Sequence, residues 1–402
     1  MRIDKYSQFT DAKEIEYIKK LGSALSGADM RIIADTAAPS REMNIQAFKQ
    51  FAEEFGAKIS VEELKMPPEF TTVIDRFYKA LQDPFFEISD EDLKIYESCS
   101  DRIASRAAAE CDICLAEELH PLSLSAQRGG FKRMIWHCCA DLSTPNPKFF
   151  AHIKKYLEKY DVCVFSMSSF FPKADVNMRA LLPSIDPLSE KNREMTAAEI
   201  SFVFSKYKIP RDKKIIFQLA RFDASKDPLG ALDVFAEVKK EFDVSLVLAG
   251  FCPDCPQGNE LYLQTLDKAA ALKDAYVLSL GDNNFEVNAL QRGADIVLQK
   301  SLKGGFALAV TEALWKEKPV IASDIGGMPA QVLDGVTGLL CSGKQNCVMQ
   351  IKKLLKNPAY GRELARAGKK HVQENFLITR HIRDAFQIFG GVMESIRKEG
   401  AQ

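Results

Sequence analysis

The chain has 402 residues, which is enough for two domains and too long for one simple hydrophobic core. Its 54 Lys and Arg side chains balance 55 Asp and Glu side chains, so no strong field favours nucleic acid or anionic lipid as a partner. The N-terminal segment lacks the apolar core of a signal peptide, and no run approaches the roughly 18 apolar residues of a membrane span. We therefore expect a cytoplasmic protein that binds no membrane.

The first half of the chain alternates predicted strands with predicted helices. A charged amphipathic helix fills the first 30 residues, and a loop over residues 35–43 precedes a second helix that ends at Gly56. Residues 65–110 are mostly helical in pattern. The predicted strands cover residues 30–34, 58–61, 112–116, 134–138 and 162–166. This alternation predicts a parallel sheet covered by helices.

A connector separates this half from a second one of the same kind. Residues 181–192, LLPSIDPLSEKN, contain two prolines and show no periodicity. The predicted strands beyond it cover residues 215–219, 244–250, 276–280, 296–299 and 319–322, and the tail from residue 346 is helical in pattern. We predict an α/β protein with two Rossmann-like doubly wound domains, residues 1–186 and 187–402, which face a cleft where the strands' carboxyl ends bind a ligand.

The cysteines are best interpreted as free thiols. All ten are irregularly spaced, as is typical of a cytoplasmic protein. Two pairs have CxxC spacing, Cys111 with Cys114 and Cys252 with Cys255, and together they could form a four-thiolate zinc site. The first pair lies in a strand-like run and the second is far away in sequence, so we predict no metal site.

Two sequence segments of the second domain predict a diphosphate site. ARFDASKD places Arg221 and Lys226 just after a predicted strand, and SLKGGFALAVTEAL predicts a strand end, a glycine turn and a helix carrying Glu312. Cations neutralise phosphate, and free N–H groups at the start of a helix favour an anion. Glu312 could accept hydrogen bonds from ribose hydroxyls. The structural alternatives are two solvated cations beside a strand end and a carboxylate that interacts with the helix dipole.

This constellation resembles the retaining nucleotide-sugar glycosyltransferases of the GT-B fold. Long tracts of the chain are similar to the trehalose synthase family among them, namely DLSTPNPKFF, PSIDPLSEKN, RFDASKD, EVNALQRGADIVLQ and VTEALWKEKPVI. The resemblance implies a retaining transfer of glucose from a nucleoside-diphosphate glucose to a small sugar acceptor, without a further cofactor and with a homodimer left open. Arg221 and Lys226 would stabilise the leaving diphosphate and Glu312 would bind the ribose. The backbone N–H groups that would meet the pyrophosphate or the sugar belong to Gly305, Phe306, Ala307 and Leu308.

The resemblance also implies a reacting centre in the first domain, within WHCCADLS. Asp141 matches the family, His137 takes the place of its arginine, and Cys139 takes the place of its histidine. Because strand side chains alternate, His137 and Cys139 share one face. We expect His371 and His381, in the C-terminal helical region, to be surface groups.

Further departures from the family also fall on catalytic positions. Gly304 replaces the glutamate that anchors the donor sugar, the loop at residues 35–43 lacks the family's glycines, and ELHP at residues 118–121 replaces Asp-Pro-Gln-Pro. An active glycosyltransferase and a catalytically impaired homologue that binds a nucleotide or sugar nucleotide and acts through a partner therefore both stay open. A phosphorylase of the same fold, with phosphate as acceptor, is a third alternative.

Overall fold

Residue contacts divide the chain into two units. The computed structural model describes residues 3–34, 39–63, 67–107, 110–251, 256–281 and 283–401. The first unit combines Met1–Pro183 with Thr379–Gln402, and the second unit is Ser184–Ile378. The boundary thus lies after residue 183, whereas the sequence prediction puts it after residue 186. The C-terminal segment also differs from the prediction, because its contacts group it with the first unit.

The first unit is built on a six-stranded parallel sheet with the order β2-β1-β3-β4-β5-β6. Its strands are β1 (Asp29–Ala34), β2 (Lys58–Glu63), β3 (Cys111–Glu117), β4 (Phe131–Cys138), β5 (Val162–Phe165) and β6 (Met178–Ala180). Its helices are α1 (Ala12–Ser23), α2 (Pro39–Glu54), α3 (Pro68–Gln82), α4 (Asp90–Ala107), α5 (Pro147–Leu157) and the C-terminal α14 (Ile378–Gly400). Because α2 begins at Pro39, the predicted loop over residues 35–43 is shorter than expected, and residues 35–38 lie outside the described residues.

Aromatic side chains fill the core of the first unit. Trp136 of β4 is fully buried, and Phe77 of α3 packs on Phe149 of α5 with ring centroids 4.5 Å apart. Phe48 of α2 packs on Phe389 of α14 at 4.9 Å. The burial of aromatic surface by α14 explains why this helix belongs to the first unit, although it follows the second in sequence.

The second unit has another six-stranded parallel sheet, with the order β12-β11-β10-β7-β8-β9. Its strands are β7 (Lys214–Leu219), β8 (Val244–Gly250), β9 (Ala275–Ser279), β10 (Ile296–Gln299), β11 (Val320–Ser323) and β12 (Leu339–Cys341). Its helices are α6 (Ala197–Lys206), α7 (Pro228–Lys239), α8 (Pro256–Ala270), α9 (Asn284–Gly293), α10 (Leu308–Trp315), α11 (Met328–Gln331), α12 (Gly343–Lys356) and α13 (Pro358–Asn375). Every residue of β8 is buried, as expected of a strand covered on both faces.

The two sheets confirm the predicted α/β architecture of two doubly wound halves. In the second sheet β7 and β10 are neighbours, and the chain proceeds outward from them in opposite directions, which is the Rossmann strand order. Ligands of such sheets bind beside the carboxyl ends of the strands at this switch point. The helices of the described ranges include none long and apolar enough to cross a membrane.

Candidate active site

One buried glutamine holds together the two loops at the switch point of the second sheet. Gln218, at the end of β7, donates from Nε2 to the carbonyl oxygen of Lys226 at 3.1 Å. Its Oε1 accepts from the N–H of Lys300, just past β10, at 3.0 Å. In addition, the N–H of Leu302 donates to the carbonyl oxygen of Ser225 at 2.7 Å. The loop carrying the predicted cations therefore lies directly beside the loop carrying the glycine turn.

A capping residue fixes the backbone just after Lys226. Asp227 has left-handed backbone angles, with φ at 46°, and caps α7 by accepting from the N–H of Gly230 at 3.0 Å. Its other carboxylate oxygen pairs with the ammonium of Lys300. A non-glycine residue in this conformation is uncommon and is held here by these contacts.

The ammonium group of Lys226 points at the glycine turn. Its Nζ lies 3.1 Å from the position that a Cβ would take on Gly304. Burial lowers the pKa of Lys226, while the nearby Asp223 opposes this shift. Within the described ranges this Nζ has neither a hydrogen-bond nor an ion-pair partner. A partly buried and unpaired cation is stabilised when an anion binds beside it.

Arg221 lies nearby but is much more open to solvent. Its side chain is 65% exposed, and its Nε lies 3.3 Å from Oδ2 of Asp223. Asp223 also accepts from the N–H of Ser225 at 3.0 Å, which anchors the carboxylate in the loop. Arg221 thus supplies a second positive charge on the exposed side of the loop.

The glycine turn depends on a close backbone contact with the loop after β11. Gly326 has φ at 56°, and a Cβ on it would lie 1.8 Å from the carbonyl oxygen of Gly304. The N–H of Gly327 donates to the carbonyl oxygen of Gly305 at 3.1 Å. No acceptor for the N–H groups of Gly305 and Phe306 exists among the residues that the structure describes. They are available to a ligand.

Ala307 requires a correction to the predicted set of backbone donors. Its N–H donates to Oε1 of Gln331 at 3.0 Å, and Gln331 Nε2 donates back to the Ala307 carbonyl oxygen at 2.8 Å. This side chain from α11 already satisfies the Ala307 N–H, so it cannot meet a phosphate. Leu308 is the first residue of α10, whose N-terminus has no side-chain cap. The helix start therefore stays attractive to an anion.

Glu312 lies in the second turn of α10 and is 3% exposed. Its Oε1 lies 2.9 Å from Nζ of Lys191, and its buried Oε2 has no hydrogen-bond partner among the described residues. The carboxylate of Glu312 is thus held by an ion pair with Lys191. The unsatisfied Oε2 is a ready acceptor for a hydroxyl group.

Lys191 is a site residue that the sequence analysis missed. It lies in the segment interpreted as a connector, which α9 holds in place. Asn288 donates to the Glu190 carbonyl oxygen at 2.8 Å, and Arg292 donates to the Asn192 carbonyl oxygen at 3.0 Å. The tracts PSIDPLSEKN and EVNALQRGADIVLQ, which resemble the family, carry these residues. The presence of both tracts in one chain was the sequence signal from which the position of Lys191 could have been predicted.

A second polar cluster lies at the ends of β3 and β4 in the first unit. Glu117 and His137 are partners in the strand register, and His137 Nδ1 lies 2.9 Å from Oε2 of Glu117. Cys139 Sγ lies 4.0 Å from His137 Nε2. Burial by itself lowers the pKa of His137, but Glu117 and Cys139 outweigh it and hold this pKa well above its ordinary value. These contacts favour the imidazolium form of His137, at the position where the resembling family has an arginine.

The other carboxylates of this region are used within the unit. Glu118 is buried, has φ at 67°, and accepts from the Tyr78 hydroxyl at 2.6 Å and the Cys139 N–H at 3.2 Å. Asp141 accepts from the N–H of Ser143 at 2.8 Å in a local turn. Asp141 thus stabilises a local turn in the structure. Its catalytic role stays a prediction.

His381 was wrongly expected to be a surface group. It lies on α14, is 7% exposed, and its Nδ1 is 2.9 Å from the Leu182 carbonyl oxygen. Burial lowers the pKa of His381 to about 3. His371 is also partly buried, with Nε2 3.1 Å from the Ala330 carbonyl oxygen. Both errors arise because α13 and α14 pack against residues distant in sequence.

His137, Cys139 and His381 line one cavity of about 70 Å³ in the first unit. Its remaining wall is mainly apolar and comes from the sheet and from α2 and α14. The described cysteines are thiols rather than disulfides, and Cys111 and Cys114 are buried in β3. Cys252 and Cys255, the other half of the considered zinc site, lie outside the described residues.

Two doubly wound sheets, with cationic and N–H groups at the switch point of one, are typical of glycosyltransferases of the GT-B fold. Residues 199–371 match the family of glycosyl transferases group 1, and residues 42–172 match the trehalose synthase N-terminal domain. Trehalose synthase of Rubrobacter xylanophilus is 37% identical over 337 residues, which cover 81% of this chain and 80% of the relative. The trehalose synthase of Pyrococcus horikoshii is 30% identical over 401 residues, which cover 97% of this chain and 96% of the relative. The chain belongs to the trehalose synthase family and is a glycosyltransferase.

Solved structures show the same fold at lower sequence identity. The α,α-trehalose 6-phosphate synthase of Burkholderia multivorans superposes with a TM-score of 0.73 at 13% identity, covering 93% of this chain and 100% of that chain. Sucrose-phosphate synthase of Thermosynechococcus elongatus superposes with a TM-score of 0.71 at 15% identity, covering 92% of this chain and 100% of that chain. These likenesses establish the GT-B fold.

Proposed function

We propose that this glycosyltransferase moves glucose from a nucleoside-diphosphate glucose to a small sugar acceptor, with retention of the donor's anomeric configuration. The observation that carries the proposal is the ammonium of Lys226 near the N–H groups of Gly305 and Phe306, all of them without partners among the residues that the structure describes. The relatives are trehalose synthases, which supports glucose as both the transferred sugar and the acceptor.

Lys226 has the central role in this proposal. As the bond between the sugar and the diphosphate breaks, negative charge grows on the diphosphate oxygens. A preorganised cation and backbone donors stabilise that charge more strongly than they stabilise the bound substrate. Arg221 adds a further, solvent-exposed charge. Because side chains and backbone supply this stabilisation, we propose that the reaction needs no cofactor.

Glu312 would bind the ribose of the donor. Its Oε2 is buried and unsatisfied among the described residues, while its Oε1 is held by Lys191. A carboxylate with one oxygen fixed and the other open can accept a ribose hydroxyl without reorganising. The ion pair with Lys191 would keep the carboxylate oriented.

Gly304 favours a second candidate function, which is nucleotide binding without turnover. The resembling family has a glutamate there to hold the transferred sugar, and a glycine offers no side chain for that purpose. Lys226 and the N–H groups of Gly305 and Phe306 are present despite this change, so the diphosphate part of the site keeps its donors. The two candidates therefore predict the same nucleotide binding and differ only in product formation.

Product analysis distinguishes the two candidates. The protein would be incubated with UDP-, ADP- and GDP-glucose in the presence of glucose, and the products followed by nuclear magnetic resonance of the anomeric protons. We expect a disaccharide with the donor configuration retained. Lys226→Ala should lower turnover by about 100-fold, as loss of one charge-stabilising donor does elsewhere. The matched control is Lys370→Ala, whose side chain is exposed on α13 and should leave turnover unchanged.

Two other results would overturn the first candidate. Nucleotide binding by folded protein, with neither disaccharide nor donor hydrolysis, would establish the second candidate instead. Turnover equal in the wild type and Lys226→Ala would remove the assigned donor site.

A further inference from the structure

Glu117, His137 and Cys139 form a linear series of a carboxylate, an imidazole and a thiol. Glu117 Oε2 lies 2.9 Å from His137 Nδ1, and His137 Nε2 lies 4.0 Å from Cys139 Sγ. Catalytic and redox cysteines use the same order of groups, in which the carboxylate orients the ring and the ring exchanges a proton with the sulfur. This cluster is distinct from the diphosphate-binding groups of the second unit.

The fold holds each member of the series in place. The register of β3 and β4 pairs Glu117 with His137, and alternation along the chain puts His137 and Cys139 on one face. Glu118 fixes the backbone of Cys139 by accepting its N–H at 3.2 Å. The short distances therefore follow from the strand pairing and from one buried carboxylate.

Cys139 is also the accessible thiol among the described cysteines. It is partly exposed and lines the cavity of the first unit, whereas the other described thiols are buried, at Cys99, Cys111, Cys114, Cys138, Cys163, Cys341 and Cys347. A reagent in solution can thus reach the sulfur that faces the imidazole.

His381 provides an independent indication that a polar group can enter this cavity. Its Nδ1 is engaged by the Leu182 carbonyl oxygen, so Nδ1 carries the proton and Nε2 is an acceptor. The side chain is more than nine-tenths buried and lines the cavity, and Nε2 has no hydrogen-bond partner in the part of the chain that the structure describes. A hydroxyl on a group attached to Cys139 would satisfy it.

We propose that Cys139 is a reactive thiol that exchanges with low-molecular-weight disulfides, with His137 as the cation that stabilises its thiolate and Glu117 as a positioning residue. The Cys139 proton leaves to water, and the thiolate, held beside the His137 imidazolium, attacks one sulfur of the disulfide. A new S–S bond forms to Cys139 as the original S–S bond breaks. The departing thiolate takes a proton from water, so charge and protons balance.

The test measures mixed-disulfide formation with bis(2-hydroxyethyl) disulfide at pH 7, quantified at each cysteine by peptide mass spectrometry. We expect Cys139 to react about three- to tenfold faster in the wild type than in His137→Gln. An ordinary thiol is only a few per cent thiolate at this pH, and pairing with an imidazolium raises that share, while the weaker basicity of a paired thiolate offsets part of the gain. Glu117→Gln should slow the reaction as well, and Cys139→Ser should abolish labelling at this position.

A second histidine serves as the matched control. His152 also faces a carboxylate, with Nε2 3.7 Å from Glu97 Oε1, and it lies on α5. His152→Gln should leave the Cys139 rate unchanged. Equal Cys139 rates in the wild type, His137→Gln and Glu117→Gln, each shown to be folded by circular dichroism, would overturn the proposal. Because the readout is the modified peptide, this result does not depend on glycosyl transfer.

Discussion

The two units differ in whether the polar groups at the carboxyl ends of their sheets have partners among the described residues. In the second unit, the Lys226 ammonium, the Glu312 Oε2 and the N–H of Gly305 have no partners among the described residues. In the first unit, Glu117 pairs with His137, and Glu118 accepts from backbone and side-chain donors. Unsatisfied buried groups are costly and uncommon in native proteins. The second unit is thus organised in advance for a ligand, whereas Glu117, His137 and Glu118 of the first are paired within the unit.

The departures from the resembling family follow the same division. His137 and Cys139 lie in the first unit, where His137 contacts both Glu117 and Cys139. In the second unit Arg221, Lys226 and Glu312 match the resembling family, and Gly304 departs from it. The departures at His137 and Cys139 thus contact one another, whereas Gly304 leaves a site position without a side chain. The predictions below test this contrast in decreasing order of effect.

Gly326→Ala should have the largest effect, because it acts on the backbone of the donor site. The added Cβ would lie 1.8 Å from the Gly304 carbonyl oxygen, at a residue whose φ is 56°. We expect urea denaturation to show a loss of about 3 kcal/mol in the free energy of unfolding, together with loss of nucleotide binding. Gly343→Ala is the control, since φ is 71° there but the Cβ meets nothing within 4 Å. Equal effects of the two substitutions would refute the close contact.

His381 should make the stability of the first unit depend on pH. Its pKa is about 3 in the folded protein, below the value near 6.5 of an exposed histidine. The resulting stabilisation is complete above the unfolded pKa and is lost as the pH falls. Between pH 7 and pH 5 the loss is about 2 kcal/mol. His137 has a raised pKa, so its stabilisation is complete below the unfolded value and is lost only as the pH rises through the folded one.

The measurement is urea unfolding at pH 7 and pH 5 for the wild type and His381→Gln. The variant should show a free energy of unfolding that changes about 2 kcal/mol less between the two pH values. The same pH dependence in both proteins would show that His381 does not remain neutral and buried.

Glu312→Gln should weaken binding of nucleoside diphosphates by about 1–2 kcal/mol, because it removes a charged acceptor for the ribose. Binding of inorganic pyrophosphate, which has no ribose, should stay unchanged in the same calorimetric titration. Glu374→Gln, with a side chain 58% exposed on α13, is the control. An equal loss of affinity for pyrophosphate would assign Glu312 to the structure of α10 rather than to the ribose.

Arg221→Ala should have the smallest effect, about 1 kcal/mol on nucleoside diphosphate affinity, since its side chain is 65% exposed and shared with Asp223. The loss should shrink at 0.5 M salt, which screens an exposed charge. Arg366→Ala, 71% exposed on α13, is the control. A loss that is independent of salt would indicate that Arg221 becomes buried when the nucleotide binds.

The sequence predicts the parallel sheets well because their strands are long buried apolar runs, as in β8. It also predicts the neighbouring loops of Lys226 and Gly305, since the carboxyl ends of adjacent parallel strands lie at one edge. The strands β6 and β12 were missed because three residues are too few to show a period.

Contacts between distant segments account for the site features that the sequence does not reveal. Lys191 reaches Glu312 only because α9 fixes the connector, and Gln331 reaches Ala307 from a short helix beyond β11. His381 is buried because α14 returns to the first unit. No local pattern encodes these pairings, since each depends on how separate elements pack.

Calorimetric titration of the wild type and Lys226→Ala with UDP, ADP and GDP tests the central claim most directly. The account predicts that at least one of them binds the wild type, and that Lys226→Ala raises its Kd about 5- to 150-fold, equivalent to about 1–3 kcal/mol. Lys370→Ala should bind like the wild type. Equal affinity of the wild type and Lys226→Ala for every nucleoside diphosphate would contradict the assignment of the donor site.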